Sequence, residues 1–299
     1  MSEVAVIDIG TNTVLCLKAS VHEDNIDIIF DSRFHYRSGR RLDDYGNISS
    51  EYKTGLRRAL LSAMSTLTDC SEIKIVATEV LRKPKDGLAF ASELAGEIGH
   101  PIEIISPQRE AELSFYGATY ELASENEKVT MIDVGGGSSE LAAGTDGELE
   151  RWSGVNIGAV SLSEAVGYEK PLDDYLEYAG EVFAKSDFQE LLEPKPSRMI
   201  VVGGSASTLA AILNDQQVFD PEAIQGFEIR LDILELLLAN LSTMRLAKRK
   251  EIMAFDTQRA EIIVPGGAII LAFMKKYDFH EVSVSPKGLR HGLLLEHFG

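Results

Sequence analysis

The chain has 299 residues, of which 44% are hydrophobic and 25% charged, and its formal net charge at neutral pH is −18. A chain about twice as long as a typical domain predicts two domains, each with its own core. The acidity argues against nucleic acid and anionic membranes as partners, because both attract a broad basic face. No apolar run is long enough to span a membrane, and strand-forming residues start directly after the amino terminus, so we expect a cytoplasmic protein.

The first predicted elements form a β-hairpin, and the chain repeats this hairpin further on. Residues 5–19 and 131–144 each have the pattern of a strand, a short turn with glycine, and a second strand. The repeat predicts two related α/β halves. The residues in register are Asp8 with Asp133, Gly10 with Gly135, and Thr13 with Ser138.

The tip of the first hairpin is suited to holding an anion. Backbone N–H groups converge in such a turn, and the hydroxyls of Thr11 and Thr13 add further donors. A turn that begins with an aspartate and a glycine is also a common structural hairpin, so this tip alone is a weak signal.

Helices and strands alternate after the first hairpin. Apolar periodicity predicts a helix over about 50–68, a strand near 73–78, a helix near 87–98, a strand near 102–105 and a helix over about 107–124. This alternation is typical of an α/β domain.

The last of these helices carries two candidate catalytic carboxylates, Glu110 and Glu112. A carboxylate is the usual group to orient and deprotonate water where histidine and cysteine are not suitably placed. Residues two apart point to different helix faces, so at most one of them serves this role.

The second hairpin has three consecutive glycines, at 135–137, inside a strand-forming run. Glycine weakens a strand, so some group is expected to approach this backbone closely, and a phosphate is the simplest candidate. Asp133 and Glu140 flank the glycines and are oxygen ligands of the kind that Mg²⁺ prefers. An aspartate that closes a turn and a surface glutamate are the structural alternative.

Residues 201–208 have the pattern of a strand, a glycine pair and the start of a helix. The N–H groups of Gly203, Gly204 and Ser205 are candidate ligands of a phosphate or of a nucleoside edge. Tight packing between strand and helix explains paired glycines equally well.

Basic residues are grouped in the first half of this acidic chain. Arg33, Arg37, Arg40 and Arg41 form one group, and a second group lies at 82–85. Grouped charges of this kind would attract a polyanion locally, although any one of them is as easily a solvated loop charge.

Taken together, these motifs resemble the Ppx/GppA phosphatase family. Its members are exopolyphosphatases and guanosine pentaphosphate phosphohydrolases within the superfamily of actin, sugar kinases and Hsp70. The similarity covers nearly the whole chain. It is carried by both hairpins and by the stretches at 77–87, 105–118, 158–164, 201–211 and 284–294, in that order and spacing.

The resemblance implies two ribonuclease H-like α/β domains with an interdomain cleft, here residues 1–122 and 123–299. It also implies Mg²⁺ dependence, stepwise release of terminal phosphate from polyphosphate or pppGpp, and a homodimer. Family similarity selects Glu110 over Glu112 as the catalytic base, and assigns metal and water positioning to Asp133 and Glu140. The predicted phosphate-binding residues are Asp8, Gly10, Thr11, Asn12, Thr13, Arg37, Arg82, Gly135, Gly136, Gly137, Ser138, Gly203, Gly204 and Ser205.

Two positions depart from the family pattern. Arg109 replaces the acid that usually precedes the catalytic glutamate, and Gln225 stands where many relatives have histidine. Three functions remain: a short-chain exopolyphosphatase, with a pppGpp 5′-phosphohydrolase as its nearest variant; a kinase that transfers phosphate; and a sensor that binds polyphosphate or an alarmone without hydrolysing it.

Overall fold

A computed structural model describes residues 2–22, 25–36 and 41–299. It divides into two compact units, the first formed by 1–117 with 289–299 and the second by 118–288. The predicted boundary after residue 122 lies five residues beyond the observed one. The last segment, predicted to belong to the second domain, packs in the first unit.

The first unit contains a five-stranded sheet. Its strands are β1 (Ser2–Ile9), β2 (Thr13–His22), β3 (Asn25–His35), β4 (Glu72–Ala77) and β5 (Glu103–Ile104). The strand order is β3-β2-β1-β4-β5; β1, β2 and β3 are antiparallel neighbours, whereas β4 and β5 run parallel to β1. The helices of this unit are α1 (Ser50–Met64), α2 (Glu79–Arg82), α3 (Gly87–Ile98), α4 (Pro107–Thr119) and, from the end of the chain, α12 (Leu289–Phe298).

Apolar side chains alternate along β1, so each face of the first sheet has its own core. Ile7 and Ile9 pack with residues of α1 and α3, whereas Val4 and Val6 pack with Leu113 of α4 and with α12. Helix α12 approaches α4 so closely that a Cβ at Gly292 would lie 1.9 Å from the carbonyl oxygen of Leu113. This packing explains why the final helix belongs to the first unit.

The second unit contains a six-stranded sheet. Its strands are β6 (Lys128–Val134), β7 (Ser139–Thr145), β8 (Glu148–Val155), β9 (Arg198–Val202), β10 (Phe227–Arg230) and β11 (Glu281–Val284). Their order is β10-β11-β9-β6-β7-β8. The helices are α5 (Ala159–Val166), α6 (Leu172–Ala184), α7 (Phe188–Leu191), α8 (Gly204–Leu213), α9 (Leu231–Thr243), α10 (Leu246–Ile252) and α11 (Ile263–Lys276), with short 3₁₀ segments at Glu222–Ile224 and Ala254–Glu261.

The two sheets share one topology, as the sequence repeat predicts. In each, a hairpin is extended by a third antiparallel strand on one side and by a parallel strand on the other. Helix α11 is buried along most of its length and forms the centre of the second core. In the part of the chain that the structure describes, no helix is long and apolar enough to cross a membrane.

Candidate active site

The tip of the first hairpin is a four-residue turn. Ile9 pairs with Val14, and the N–H of Gly10 donates to the carbonyl of Thr13 at 3.1 Å. Asp8 is 8% exposed at the end of β1, and the Thr13 hydroxyl lies 3.3 Å from Nδ1 of His35. The predicted residues Gly10, Thr11, Asn12 and Thr13 thus form the turn, and Asp8 precedes it in β1.

Arg82 and Glu110 meet at the same edge of the first sheet. Parallel strands present their carboxyl ends at one edge, and α2 and α4 follow the ends of β4 and β5. Nη1 of Arg82 donates to the carbonyl of Ile105 at 2.6 Å, and Nη2 donates to Oε2 of Glu110 at 3.1 Å. The structure thus places the guanidinium of Arg82 in direct contact with the predicted base.

Glu112 has a different environment from Glu110. It accepts hydrogen bonds from Gln108 at 3.0 Å and from Arg109 at 3.4 Å. Arg109 also pairs with Glu296. Although burial opposes its charge, these two carboxylates raise the pKa of Arg109. The arginine that departs from the family pattern thus pairs with Glu112 and Glu296.

The second hairpin repeats the turn of the first. Val134 pairs with Ser139, and the N–H of Gly135 donates to the carbonyl of Ser138 at 3.0 Å. The predicted residues Gly135, Gly136, Gly137 and Ser138 form this turn.

The amino terminus of α5 packs directly under the second turn. The N–H groups of Ala159 and Val160 donate to the carbonyls of Gly135 and Gly136 at 2.9 and 2.8 Å. A Cβ at Gly158 would lie 2.5 Å from the carbonyl carbon of Gly136. The sequence predicts a close approach to the glycine run, and on this side the approaching group is the protein's own helix.

Asp133 and Glu140 are opposite each other on β6 and β7. Directly opposed residues project from the same face of a sheet with their Cβ atoms about 5 Å apart. On β8, Gly154 pairs with Glu140, and a Cβ there would be in ordinary van der Waals contact with the Cγ of Glu140, at 3.6 Å.

This carboxylate pair fits a magnesium ion. Among the described residues, no group of three or more histidine, cysteine, aspartate or glutamate side chains could hold a metal. Mg²⁺ typically takes only one or two carboxylates from the protein and completes its shell with water and substrate phosphates. Asp133 and Glu140 match that donor set.

The glycine pair after β9 lies beside Asp133. Gly203 has φ +105°, and a Cβ there would lie 2.4 Å from the carbonyl oxygen of Val134 and 3.2 Å from Oδ1 of Asp133. Ser205 is buried, and a Cβ at Gly266 would lie 2.1 Å from its Oγ. The Ser205 hydroxyl thus packs against α11, which leaves its backbone N–H as the donor for the predicted phosphate contact.

Comparisons with known proteins show the family of this chain. The model of the Ppx/GppA phosphatase family matches residues 17–299. The chain belongs to this family. Curated relatives include exopolyphosphatase 2 of Mycobacterium tuberculosis, 26% identical over 99% of this chain and 98% of the relative. A guanosine-5′-triphosphate,3′-diphosphate pyrophosphatase of Pseudoalteromonas atlantica is 24% identical over 97% of this chain, which spans 57% of that relative.

Solved structures of Ppx/GppA proteins have the same fold. An exopolyphosphatase from Cytophaga hutchinsonii has a TM-score of 0.87 at 22% identity and covers 99% of this chain and 97% of its own. The Aquifex aeolicus Ppx/GppA protein has a TM-score of 0.80 at 23% identity, with 99% and 97% covered. The predicted family, the two-domain α/β fold and the enzyme class, phosphoanhydride hydrolase, are confirmed. The roles of individual residues stay predictions.

Sequence reasoning did not identify one buried ion pair beside the second turn of this Ppx/GppA protein. Nε of Arg259 donates to Oδ2 of Asp256 at 3.1 Å, and both side chains are largely buried. A Cβ at Gly204 would lie 1.9 Å from Nη2 of Arg259, so the guanidinium fills the space that this glycine leaves. Burial lowers the pKa of Arg259, and the Asp256 carboxylate opposes that effect.

Gln225 lies within the described residues, whereas Arg37 does not. Gln225 donates to Glu121 at 3.4 Å and accepts from the Ser285 hydroxyl at 3.3 Å, so this departure from the family pattern is part of a local polar network. Arg37 lies outside the described residues, and its predicted phosphate contact stays a prediction.

Proposed function

We propose that this protein is an exopolyphosphatase that releases terminal phosphate from inorganic polyphosphate. The proposal is carried by one observation: both hairpins end in the same glycine turn, and only the second has two opposed carboxylates. Each turn suits a phosphate group, and the carboxylates suit a Mg²⁺ ion that neutralises the charge of the phosphates.

Glu110 is the proposed general base. Its carboxylate would orient a water molecule for in-line attack on the terminal phosphorus. The hydrogen bond from Arg82 would hold that carboxylate in place. The turn N–H groups stabilise the charge of the phosphoryl oxygens, and this electrostatic contribution should supply most of the barrier lowering.

Hydrolysis of pppGpp to release its 5′-phosphate is the second candidate, because it needs the same chemistry. The relative that is named guanosine-5′-triphosphate,3′-diphosphate pyrophosphatase aligns over 97% of this chain. We favour the exopolyphosphatase activity because this chain spans 98% of the relative that is named exopolyphosphatase 2.

The proposal also covers the partners, the location and the oligomeric state of the protein. The acidity of the chain supports a protein without nucleic acid or membrane partners. A cytoplasmic location and a homodimer complete it, the latter from family resemblance.

The decisive experiment measures phosphate release from defined short polyphosphate, long polyphosphate and pppGpp, each with and without Mg²⁺. Glu110→Gln should bind substrate normally and lose turnover by about 100-fold or more. Glu112→Gln is the matched control on the same helix and should retain turnover.

Binding without phosphate release from any substrate would replace the hydrolase with the sensor. Phosphate transfer from polyphosphate to ADP would identify a kinase. A fully active Glu110→Gln variant would remove Glu110 from the role of base.

A further inference from the structure

Every carbonyl of the first turn accepts a hydrogen bond from a defined donor. The carbonyl of Gly10 accepts from the hydroxyl of Tyr36, and that of Thr11 accepts from the hydroxyl of Tyr52. The carbonyl of Asn12 accepts from the backbone N–H of Tyr36 at 3.3 Å, and Thr13 closes the turn with Gly10. Two tyrosines outside the hairpin thus hold three consecutive peptide groups.

Fixing these carbonyls also fixes the N–H groups that follow them. In a planar trans peptide, the C=O and the next N–H point in opposite directions. The carbonyls of Gly10 and Thr11 point toward the tyrosines, so the N–H groups of Thr11 and Asn12 point away from them. Those two N–H groups are the donors through which the turn is proposed to bind phosphate.

The two tyrosines form a rigid support. Tyr36 is 3% exposed and Tyr52 is 2% exposed. Their rings meet edge to face, with centroids 5.3 Å apart at 80°. Burial, and then the neighbouring Tyr52, raise the pKa of Tyr36 well above its usual value, so its hydroxyl stays protonated and able to donate.

The second turn achieves the same result with backbone groups. The carbonyls of Gly135 and Gly136 accept from the N–H groups that begin α5, and the carbonyl of Gly137 accepts from the Ser161 hydroxyl at 2.9 Å. By the register of the repeat, these carbonyls correspond to those of Gly10, Thr11 and Asn12.

We propose that Tyr36 and Tyr52 are positioning residues that orient the phosphate-binding N–H groups of the first turn, in the role that the start of α5 has at the second. The inference rests on the proposed function, because it assigns these residues to the substrate contacts of that turn. Neither tyrosine touches the substrate.

Kinetics of Tyr36→Phe and Tyr52→Phe test this role. Each variant removes one hydroxyl and keeps the ring, and Tyr36→Phe also keeps the backbone donor to Asn12. The N–H groups are proposed to bind phosphate in the ground state and to stabilise the transition state, so we expect their misalignment to raise KM for short polyphosphate about tenfold and to lower kcat as well. The double variant should show a larger rise.

Tyr175→Phe is the matched control. The Tyr175 hydroxyl also donates from a buried ring to a backbone carbonyl, that of Gly167 at 2.7 Å, away from both turns. It should lower the melting temperature as much as the other two variants while KM stays within about twofold of the unchanged protein. An equal rise in KM for Tyr175→Phe would reduce Tyr36 and Tyr52 to general stabilising residues.

Amide hydrogen exchange of a peptide that contains residues 10–13, without substrate, tests the inference independently of hydrolysis. Exchange should accelerate in Tyr36→Phe and Tyr52→Phe and not in Tyr175→Phe, because only the first two release the turn. If Tyr36→Phe and Tyr52→Phe leave the exchange rate or KM as it is in the protein without substitutions, the inference is wrong. If the protein without substitutions releases no phosphate, only the proposed function is wrong.

Discussion

The two hairpins have the same turn but differ in support and in chemistry. Side-chain hydroxyls hold the first turn, and the backbone at the start of a helix holds most of the second. Glu140 opposes Asp133 in the second hairpin, whereas Leu15 opposes Asp8 in the first. The same turn is thus held either by side-chain hydroxyls or by backbone N–H groups, and only the second hairpin has two opposed carboxylates.

The largest expected effect comes from breaking the backbone support of the second turn. In Gly158→Ala, the new Cβ would lie 2.5–2.7 Å from backbone atoms of Gly135 and Gly136, which cannot move aside without distorting the turn. We expect a loss of about 3 kcal/mol of stability and nearly all activity, measured by urea unfolding and phosphate release.

Gly180→Ala is the control for that substitution. Gly180 lies on α6, and a Cβ there would meet no atom within 4 Å. Alanine in a helix should stabilise by up to about 1 kcal/mol. Similar destabilisation by both variants would argue against a special role for Gly158.

Glu140→Leu makes the second hairpin resemble the first at the position of Leu15. The strand should still form, because leucine occupies the same register position in β2. We expect half-saturation by Mg²⁺ to rise at least tenfold and turnover to fall by about 100-fold. Calorimetry of Mg²⁺ binding with a non-hydrolysable phosphate analogue checks the metal role directly, and unchanged binding would exclude Glu140 as a ligand.

The smallest expected effect is a pH dependence of the stability of the first unit. Arg290 on α12 forms two hydrogen bonds with the Asp31 carboxylate on β3. Burial alone would raise the pKa of Asp31, but the charge and hydrogen bonds of Arg290 outweigh it and hold the pKa below its ordinary 3.8. The stabilisation is therefore complete above pH 3.8 and is lost as pH falls through the lowered value.

Denaturant unfolding between pH 2 and 6 checks this dependence. Asp31→Asn should be less stable at pH 6 by about 2 kcal/mol, with a flatter pH profile, because the carboxylate is largely buried with its partner. Parallel profiles for the two proteins would show that Asp31 does not contribute to acid sensitivity.

Sequence patterns predicted those parts of the site that consist of neighbours along the chain. Both hairpins, the register of Asp8 with Asp133, and the strand, glycine pair and helix around Gly203 follow from local periodicity and turn residues. Family similarity added the choice of Glu110, and its pairing with Arg82 is consistent with that choice.

The supporting contacts were not predictable, because they join distant segments. Tyr36, Tyr52 and the Asp256–Arg259 pair have no distinctive spacing, and their partners in the turns become evident only once the fold is known. The glycine run was attributed to a phosphate, but Gly158 also explains the close approach. The attachment of α12 to the first unit likewise depends on packing that a repeat of hairpins does not encode.

Because α12 completes one face of the first sheet, the order of synthesis on the ribosome affects folding. The face that contains Val4 and Val6 lacks Leu289 and Leu293 until the whole second unit has been translated. At typical translation rates of about 5–20 residues per second, this apolar face would wait many seconds for its last helix. The second unit is continuous in sequence, so its core does not depend on a segment that is translated after the other unit.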